Sequence, residues 1–395
     1  MSLSKRIYLD YQATTPMDPR ALDRMLPYFL ERFGNPHSVT HAHGWEAEEA
    51  VEIAREQIAH VIGADPKEIV FTSGATEANN LAIKGAARFY RRERPHIVTC
   101  VAEHKCVLES CRAMEAEGFE LTCVPTLNNG IVDLAALRDA VSARTCLVSI
   151  MAVNNEIGVI QPLAEIGEIC ESAGALFHTD AAQGFGKIPL DVRAMNIALM
   201  SISAHKVYGP KGVGALYVRR RPRVRLVPLM SGGGQERGLR SGTVPAPLCV
   251  GFGWAAEIAE KEMADEALRL TALRDRFLER LRARVPDMVL NGDRERRIPG
   301  NLNLGFPGVN GDRLIAGLKG ISVSSGSACS SASIEPSYVL AALGVPADLA
   351  QSALRIGLGR FTTAEEVDRA ADEIAAVVEE LRADAAPEAP AETGA

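Results

Sequence analysis

The chain has 395 residues, 47% hydrophobic and 24% charged, a composition typical of a soluble globular protein long enough for two or three domains. Its formal net charge of −7 argues against general nucleic-acid binding, which requires a basic surface. No apolar run reaches the roughly 18 residues of a membrane span, and the N-terminus lacks an apolar signal core. We therefore expect no nucleic-acid or membrane partner, and a location in the cytoplasm or, after removal of a transit peptide, in an organelle matrix.

Apolar strand-like runs alternate with helical stretches between about residues 50 and 250. The runs cover residues 68–71, 97–100, 147–150, 176–178, 199–202 and 215–218. Such alternation is typical of a mainly parallel α/β sheet that is buried on both faces. We assign residues 1–256 to a large domain of this class.

The pattern changes after residue 256. Charged residues with apolar residues at helical spacing predict one long helix over about 257–284, and short strands and helices follow at 302–304, 312–319, 321–323 and 354–356. A capping box, Thr363 with Glu366, opens a last helix to about residue 382. These elements predict a smaller α+β domain over 257–383, on which the N-terminal segment is a candidate to pack. Residues 384–395, rich in Pro, Ala and Glu, are expected to be disordered.

Two charged residues follow apolar runs at positions that suit a pyridoxal 5′-phosphate site. Asp180 ends the run 175–180, and Lys206 follows the run 199–204. A strand-end lysine can form the Schiff base with this cofactor, and a strand-end aspartate can pair with its ring nitrogen. A surface lysine and a helix-capping aspartate remain the alternatives on these two residues alone.

Further polar residues lie at predicted strand ends. In the segment 71–77, Gly74 permits close approach of a ligand and Thr76 can donate to a phosphate at a helix N-terminus. His104 could stack on an aromatic cofactor, Asn155 could bond a ring substituent, and Thr243 is another candidate phosphate donor. Neither GxGxxG nor GxxxxGK[ST] occurs at a strand–helix junction, which leaves dinucleotide and nucleoside-triphosphate sites without support.

The eight cysteines include no CxxC pair, and most stand beside apolar residues, so we expect small buried side chains rather than disulfides. Cys329 differs, because residues 324–333 are small and mostly polar, as in an exposed, mobile loop. The histidines at 37, 41 and 43 lack a second ligand pair with structural-zinc spacing, so we expect no intrinsic metal. The basic run Arg219–Arg225 is either an anion-docking patch or a solvated face.

Together, several motifs resemble those of cysteine desulfurases of the housekeeping iron–sulfur-assembly type. The motifs lie at 71–77, 103–104, 178–183, 203–206, 240–243 and 324–329, and the similarity extends from about residue 7 to 382. This resemblance implies a fold-type-I pyridoxal-phosphate enzyme that acts as a homodimer. Another fold-type-I enzyme, such as a selenocysteine lyase or an aminotransferase, is the alternative. A catalytically silent sulfur-assembly subunit is a third possibility, against which the intact Lys206, Asp180, Cys329 and Arg355 argue.

The resemblance also implies a role for each matching residue. Lys206 carries the Schiff base, Asp180 pairs with the ring nitrogen, Gln183 bonds the ring oxygen, and His104 stacks on the ring. Residues implied to hold the phosphate are Ala75, Thr76, Ser203 and His205, with Thr243 reaching across the dimer. Asn155 lies beside the cofactor, and Arg355 binds the substrate carboxylate.

In the implied reaction, Lys206 removes the Cα proton of L-cysteine and a Cys329 thiolate takes the sulfur as a persulfide, releasing L-alanine. The implied partners are an iron–sulfur scaffold protein, with which Cys329 could share a cluster transiently, and an acidic frataxin-like regulator at Arg219–Arg225. Where similar enzymes carry an aromatic and charged C-terminal segment, this chain has its Pro/Ala/Glu tail, so the scaffold contact is an open question. The final sulfur acceptor is not specified by the sequence.

Overall fold

A computed structural model of the chain describes residues 6–325 and 337–385, so Cys329 and residues 386–395 lie outside the described residues. The chain forms two compact units. The large unit contains Gln12–Ala267 and Gly292–Ile298, and the small unit contains the remaining described residues, including 6–11. The boundary between the units lies inside a long helix, after Ala267, whereas residue 257 was the predicted start of the second domain.

The strands and helices are numbered in chain order. The strands are β1 (Ile7–Tyr8), β2 (Ile69–Thr72), β3 (His96–Cys100), β4 (Glu120–Val124), β5 (Thr145–Ser149), β6 (Leu176–Asp180), β7 (Leu199–Ser203), β8 (Gly214–Val218), β9 (Val289–Leu290), β10 (Asn301–Gly305), β11 (Ile321–Ser322), β12 (Ser324–Ser325) and β13 (Leu354–Gly357). The helices are α1 (Pro19–Met25), α2 (Pro27–Leu30), α3 (Ala42–Val61), α4 (Ala75–Tyr90), α5 (Lys105–Ala116), α6 (Leu134–Ala140), α7 (Leu163–Ala173), α8 (Ala246–Arg282), α9 (Gly311–Gly317), α10 (Tyr338–Ala342), α11 (Ala347–Gln351) and α12 (Ala364–Ala385).

The large unit is built on a seven-stranded sheet with the order β2-β8-β7-β6-β5-β3-β4. Within this sheet, β8 runs in the opposite direction from the other six strands. Every residue of β2, β3, β5, β7 and β8 is buried, as expected for a sheet covered on both faces. The predicted α/β class is confirmed, and all six predicted apolar runs form strands. The sequence missed β4, an edge strand with mostly exposed or half-buried residues and no continuous apolar run.

The topology brings five strand ends to one edge of this sheet. Strands β3, β5, β6 and β7 are mutually parallel, and β2 has the same direction because it and β7 both run antiparallel to β8. Their carboxyl ends therefore meet at one edge, where ligands of open α/β sheets bind. No helix among residues 6–325 and 337–385 is long and apolar enough to cross a membrane.

Helix α8 begins at Ala246, so the prediction of a helix starting near residue 257 was wrong. The missed turns are largely buried, and they lack the alternation of charged and apolar residues that marks an amphipathic helix. They also contain Pro247, which a first helical turn tolerates, and two glycines. A Cβ on Gly253 would lie 2.6 Å from Ala54 Cα, so this glycine permits close packing against α3.

The small unit contains an antiparallel sheet with the order β12-β13-β10-β9 and a parallel pair, β1 with β11. The predicted capping box is confirmed, because the Glu366 carboxylate accepts from Thr363 N and the Thr363 hydroxyl accepts from Glu366 N. Helix α12 extends to Ala385, so the prediction that disorder begins at residue 384 is wrong for residues 384 and 385. Asp384 forms an ion pair with Arg313 at 2.7 Å.

Candidate cofactor site

Lys206 ends a short 3₁₀ turn, Ala204–Lys206, that directly follows β7. Its Nζ donates to the backbone carbonyls of Gln12 at 2.5 Å and Ala13 at 2.8 Å. The segment that precedes α1 therefore holds the amine at the sheet edge. The predicted strand-end position of Lys206 is confirmed, and the surface-lysine alternative is not supported.

Asp180 is the last residue of β6 and is buried. Its Oδ1 accepts from Ala182 N at 2.9 Å and its Oδ2 accepts from Asn79 Nδ2 at 2.6 Å. Two donors fix the carboxylate and satisfy its charge, an arrangement suited to pairing with a protonated ring nitrogen. Asn79, on the buried face of α4, is a positioning residue that the sequence did not reveal, because an amide in a helix carries no distinctive pattern.

His104 caps the N-terminus of α5, and its Nδ1 accepts from Cys106 N at 3.2 Å. Because Nδ1 accepts, the proton of the neutral ring must lie on Nε2. Burial lowers the pKa of His104; Asp180 opposes this shift, and Lys206 adds to it. At neutral pH the imidazole is therefore neutral, as stacking on an aromatic ring requires. These effects place His104 within electrostatic range of both Asp180 and Lys206.

The loop between β2 and α4 forms an open cradle at the N-terminus of α4. Gly74, the N-cap residue, has φ +152°, and a Cβ built on it would meet no heavy atom within 4 Å. Ala75 and Thr76 open the helix, where free N–H groups and the helix dipole favour an anion. Glu77 braces the turn by accepting from Ser73 N at 2.7 Å and Arg240 Nε at 2.9 Å.

Ser203 and His205 lie on either side of Ala204 at the end of β7. His205 Nδ1 lies 3.0 Å from Thr14 Oγ1, and Ser203 is buried. Burial and the neighbouring ammonium of Lys206 lower the pKa of His205 to about 4. A neutral His205 can donate one N–H to an anion without needing a proton from solvent.

Two amide side chains complete the sheet edge. Gln183 is buried in the turn after β6, and its Nε2 donates to Gln12 O at 2.8 Å. Asn155 is also buried, in the turn after β5. The Oδ1 of neighbouring Asn154 accepts from the backbone N–H groups of Glu156 and Ile157, which fixes that turn. Both predicted amides thus lie on segments that follow parallel strands of the same edge.

The remaining predicted site residues, Thr243 and Arg355, are carried by other segments of the chain. Thr243 is exposed on the loop that leads to α8. Arg355 lies in the small unit on β13, where its Nη2 contacts Asp10 Oδ1 at 2.8 Å. Ser324 Oγ donates to Asp10 Oδ2 at 2.8 Å, one residue before the end of the described segment that leads to Cys329.

The other cysteines are poor nucleophiles. Cys100, Cys111, Cys146, Cys170 and Cys249 are buried, Cys106 is half-buried and Cys123 is exposed, so the prediction that most are buried is confirmed. Burial raises the pKa of each, to about 12 for Cys100, Cys106, Cys146 and Cys170. No group of three His, Cys, Asp or Glu side chains within the described ranges could hold a metal. His41 instead caps α3.

These residues fit pyridoxal 5′-phosphate. The open cradle at Gly74 has room and N–H groups for a phosphate, Asp180 is fixed for the ring nitrogen, and His104 is neutral. Lys206 supplies the amine at the same edge. A helix N-terminus, a buried carboxylate and a strand-end lysine together match the three functional groups of this cofactor.

Comparison with known proteins identifies the family. Residues 7–370 match the model described as "Aminotransferase class-V". "Cysteine desulfurase IscS" of Rickettsia rickettsii (strain Iowa) is 59% identical over 382 residues, covering 97% of this chain and 93% of the relative. "Cysteine desulfurase, mitochondrial" of Drosophila melanogaster is 62% identical over 376 residues, covering 95% of this chain and 81% of the relative. A solved "NifS-like protein" superposes with a TM-score of 0.89 at 39% identity, covering 95% of this chain and 100% of that chain.

The chain belongs to the class-V aminotransferase family. Within that family it is a pyridoxal-phosphate-dependent cysteine desulfurase of the IscS type, as the resemblance of its motifs implied. The comparisons do not favour the alternatives, which were a selenocysteine lyase, an aminotransferase and a silent subunit.

Proposed function

We propose that the enzyme converts L-cysteine and the Cys329 thiol into L-alanine and a Cys329 persulfide. The observation that carries the proposal is the meeting of Lys206, Asp180 and His104 at one sheet edge in a chain of this family. Cys329 lies outside the described residues, so its assignment rests on the motif at 324–329 and on the high pKa values of the other cysteines.

Each residue at the edge has a defined task in this proposal. Ala75, Thr76, Ser203 and His205 would hold the phosphate, with Thr243 supplied by the partner of a homodimer. Asp180 would hold the ring nitrogen, Gln183 the ring oxygen, and Asn155 would lie beside the ring. Bound pyridoxal phosphate supplies an electron-withdrawing ring, which acidifies the α-proton of the substrate.

Lys206 is proposed to bind the cofactor covalently and then, as a free amine, to remove the α-proton of cysteine. The carbonyls of Gln12 and Ala13 hold Nζ near the sheet edge and give the released amine a defined position. His104, neutral with its proton on Nε2, is proposed to stack on the ring and to donate a hydrogen bond from Nε2.

The sulfur transfer balances without an external oxidant. A Cys329 thiolate forms a bond to the substrate sulfur, and the carbon–sulfur bond of the substrate breaks. The former Cβ receives a proton and leaves as the methyl group of L-alanine. The thiol of Cys329 is oxidised to the persulfide level while the carbon is reduced, so L-cysteine plus a thiol gives L-alanine plus a persulfide.

Arg355 is proposed to bind the substrate carboxylate. The guanidinium is buried on β13, and Asp10 holds one of its nitrogens at 2.8 Å. A planar guanidinium fixed in this way is preorganised for a two-point contact with a carboxylate. Asp10 also accepts from Ser324, so one carboxylate contacts both Arg355 and the end of the described segment that precedes Cys329.

The direct test is to incubate the purified enzyme with L-cysteine and measure alanine and sulfide together. Peptide mass mapping should find one additional sulfur atom on Cys329, and a reductant should release it as sulfide. Equal alanine formation with the extra sulfur on a different cysteine would overturn the assignment of Cys329. Absence of alanine with cofactor bound would overturn the proposed reaction.

Homodimerisation is supported by an apolar surface on the large unit. Six large exposed side chains lie close together in sequence between residues 26 and 45, namely Leu26, Phe29, Leu30, Phe33, Val39 and Trp45. A cluster of this kind is typical of an interface rather than of a solvated face. Leu30→Glu combined with Phe33→Glu should give a monomer by light scattering, whereas Leu268→Glu, at an exposed leucine outside the cluster, should leave a dimer.

The basic run Arg219–Arg225 is proposed to dock an acidic frataxin-like regulator. The run borders a groove of about 560 Å³ whose wall also includes Arg193 and Arg237. Changing Arg220, Arg223 and Arg225 to Glu should weaken binding, high salt should mimic the change, and basal alanine formation should stay intact. Loss of basal activity with unchanged regulator affinity would show a structural role instead.

An iron–sulfur scaffold protein is the proposed sulfur acceptor, in line with the IscS name of the bacterial relative. The scaffold would be held by the folded small unit and the Cys329 loop rather than by the tail, which lacks the aromatic anchors of a good interface. A location in the cytoplasm or an organelle matrix stays a prediction, consistent with bacterial and mitochondrial relatives.

A further inference from the structure

A second lysine lies beside the cofactor site, and the reaction described above does not use it. Lys187 follows β6 by seven residues, on the same turn that carries Gln183. The residue is half-buried, and burial, with a further contribution from the charge of Lys206, lowers the pKa of Lys187 to about 7. Glu266 is the acidic group that opposes this shift. Burying an ammonium costs free energy unless it is hydrogen-bonded, so the contacts of Lys187 indicate why a lysine occupies this position.

Lys187 is connected to Lys206 by a short chain of hydrogen bonds. Lys187 Nζ donates to Gln183 Oε1 at 3.2 Å, and Gln183 Nε2 donates to Gln12 O at 2.8 Å. The same carbonyl of Gln12 accepts from Lys206 Nζ at 2.5 Å. The two lysines therefore lie at opposite ends of one chain with Gln183 in the middle.

The chemistry of these groups fixes the amide of Gln183 in one orientation. A backbone carbonyl can only accept, so Nε2 must face Gln12, and Oε1 at the other end of the amide accepts from Lys187 Nζ. Gln183 is 4% exposed, so water is a poor substitute for either partner. Loss of Lys187 would leave a buried amide oxygen without its donor, and the Gln12 carbonyl alone would then hold the amide in this orientation.

We propose that Lys187 is a positioning residue, which holds the amide of Gln183 so that its N–H groups face the Lys206 side of the site. The inference rests on the proposed function, in which Gln183 donates to the ring oxygen of the cofactor. A rotated amide would present an acceptor to that oxygen in place of a donor. Lys187 thus favours, together with the Gln12 carbonyl, the orientation in which Gln183 donates to the cofactor.

The test uses the holoenzyme in the absence of cysteine, so its outcome does not depend on the desulfurase reaction. Lys187→Met should weaken cofactor binding about tenfold, equivalent to about 1.4 kcal/mol, and should shift the absorption maximum of the bound cofactor. Lys187→Arg, which keeps a charged donor, should restore most of both properties. Lys67→Met, at an exposed lysine, is the matched control and should behave as the wild type.

A double-mutant cycle with Gln183→Ala separates positioning from a general charge effect. If Lys187 acts through Gln183, the double variant should bind cofactor no more weakly than Gln183→Ala alone. Additive losses, or an unchanged affinity and spectrum in Lys187→Met, would overturn the proposal. Borohydride reduction followed by peptide mapping gives a further check, because attachment of the cofactor to Lys187 rather than Lys206 would also overturn it. Failure of the proposed desulfurase reaction would appear separately, as absent alanine in the wild type.

Discussion

The substitution Glu236→Gln tests the buried ion pair that anchors the glycine-rich connection before α8. Glu236 accepts from both terminal nitrogens of Arg55, each at 2.9 Å, and from Phe71 N at 2.7 Å. The two charged side chains are only 4% and 3% exposed. Breaking a buried pair by neutralising one partner leaves the other charge uncompensated, which typically costs about 3–5 kcal/mol. Glutamine adds a second penalty, because in either orientation its NH₂ faces a terminal nitrogen of Arg55, which is also a donor.

The assay is urea unfolding of the cofactor-free protein, followed by tryptophan fluorescence at fixed protein concentration. Both tryptophans, Trp45 and Trp254, lie in the large unit, so the signal reports the unit that contains the pair. The matched control is Glu52→Gln, which removes the other partner of Arg55. Glu52 is 48% exposed and contacts Nε at 3.0 Å, so its loss should cost less than about 1 kcal/mol. Equal losses for the two variants would refute the argument that burial sets the magnitude.

Lys206→Ala should abolish the borohydride-stable attachment of the cofactor and all alanine formation. Cys329→Ser should still show a spectral change on addition of cysteine but should form almost no alanine; full alanine production would identify another acceptor. Arg355→Ala should cost on the order of 2–5 kcal/mol in kcat/KM for cysteine, mostly through KM, and unchanged constants would remove it from the site. Between about pH 7 and 10.5 the unfolded chain binds more protons than the folded chain at Lys187, so this group makes the free energy of unfolding rise with pH, and Lys187→Met should remove that rise in pH-dependent melts. Truncation after residue 385 should leave folding and alanine formation intact, and a tenfold loss of scaffold affinity would show that the tail is a docking element.

The sequence was informative where a residue type and its place after an apolar run carry the signal. Lys206 and Asp180 could be placed because parallel strands are continuous apolar runs and their ends meet at one edge. Asn79 and Lys187 could not be found in this way. Asn79 contacts a carboxylate 101 residues away, and Lys187 contacts an amide that was already assigned to the cofactor. Neither contact leaves a pattern in the neighbouring residues. Backbone acceptors such as Gln12 O cannot be identified from the sequence either, because every residue carries a backbone carbonyl.

The start of α8 shows the complementary limit. Its first turns are largely buried, so the period that identifies an amphipathic helix disappears. Its two glycines, of which Gly253 allows close contact with α3, look like helix breakers. The packing partner decides the structure there, and it is remote in sequence.

The discontinuous small unit has a consequence for how the chain folds during synthesis. Ile7 and Leu9 are buried in its core, whereas the other residues of that core begin at Leu270. The ribosome must therefore add about 314 residues before the first strand, β1, meets its partner, β11, a delay of roughly 16–63 s at about 5–20 residues per second. During that interval an apolar N-terminal segment has left the exit tunnel without its final contacts. A fragment beginning at residue 257 would lack the same strand permanently, so an isolated small domain should be produced with residues 6–11 joined to it through a linker.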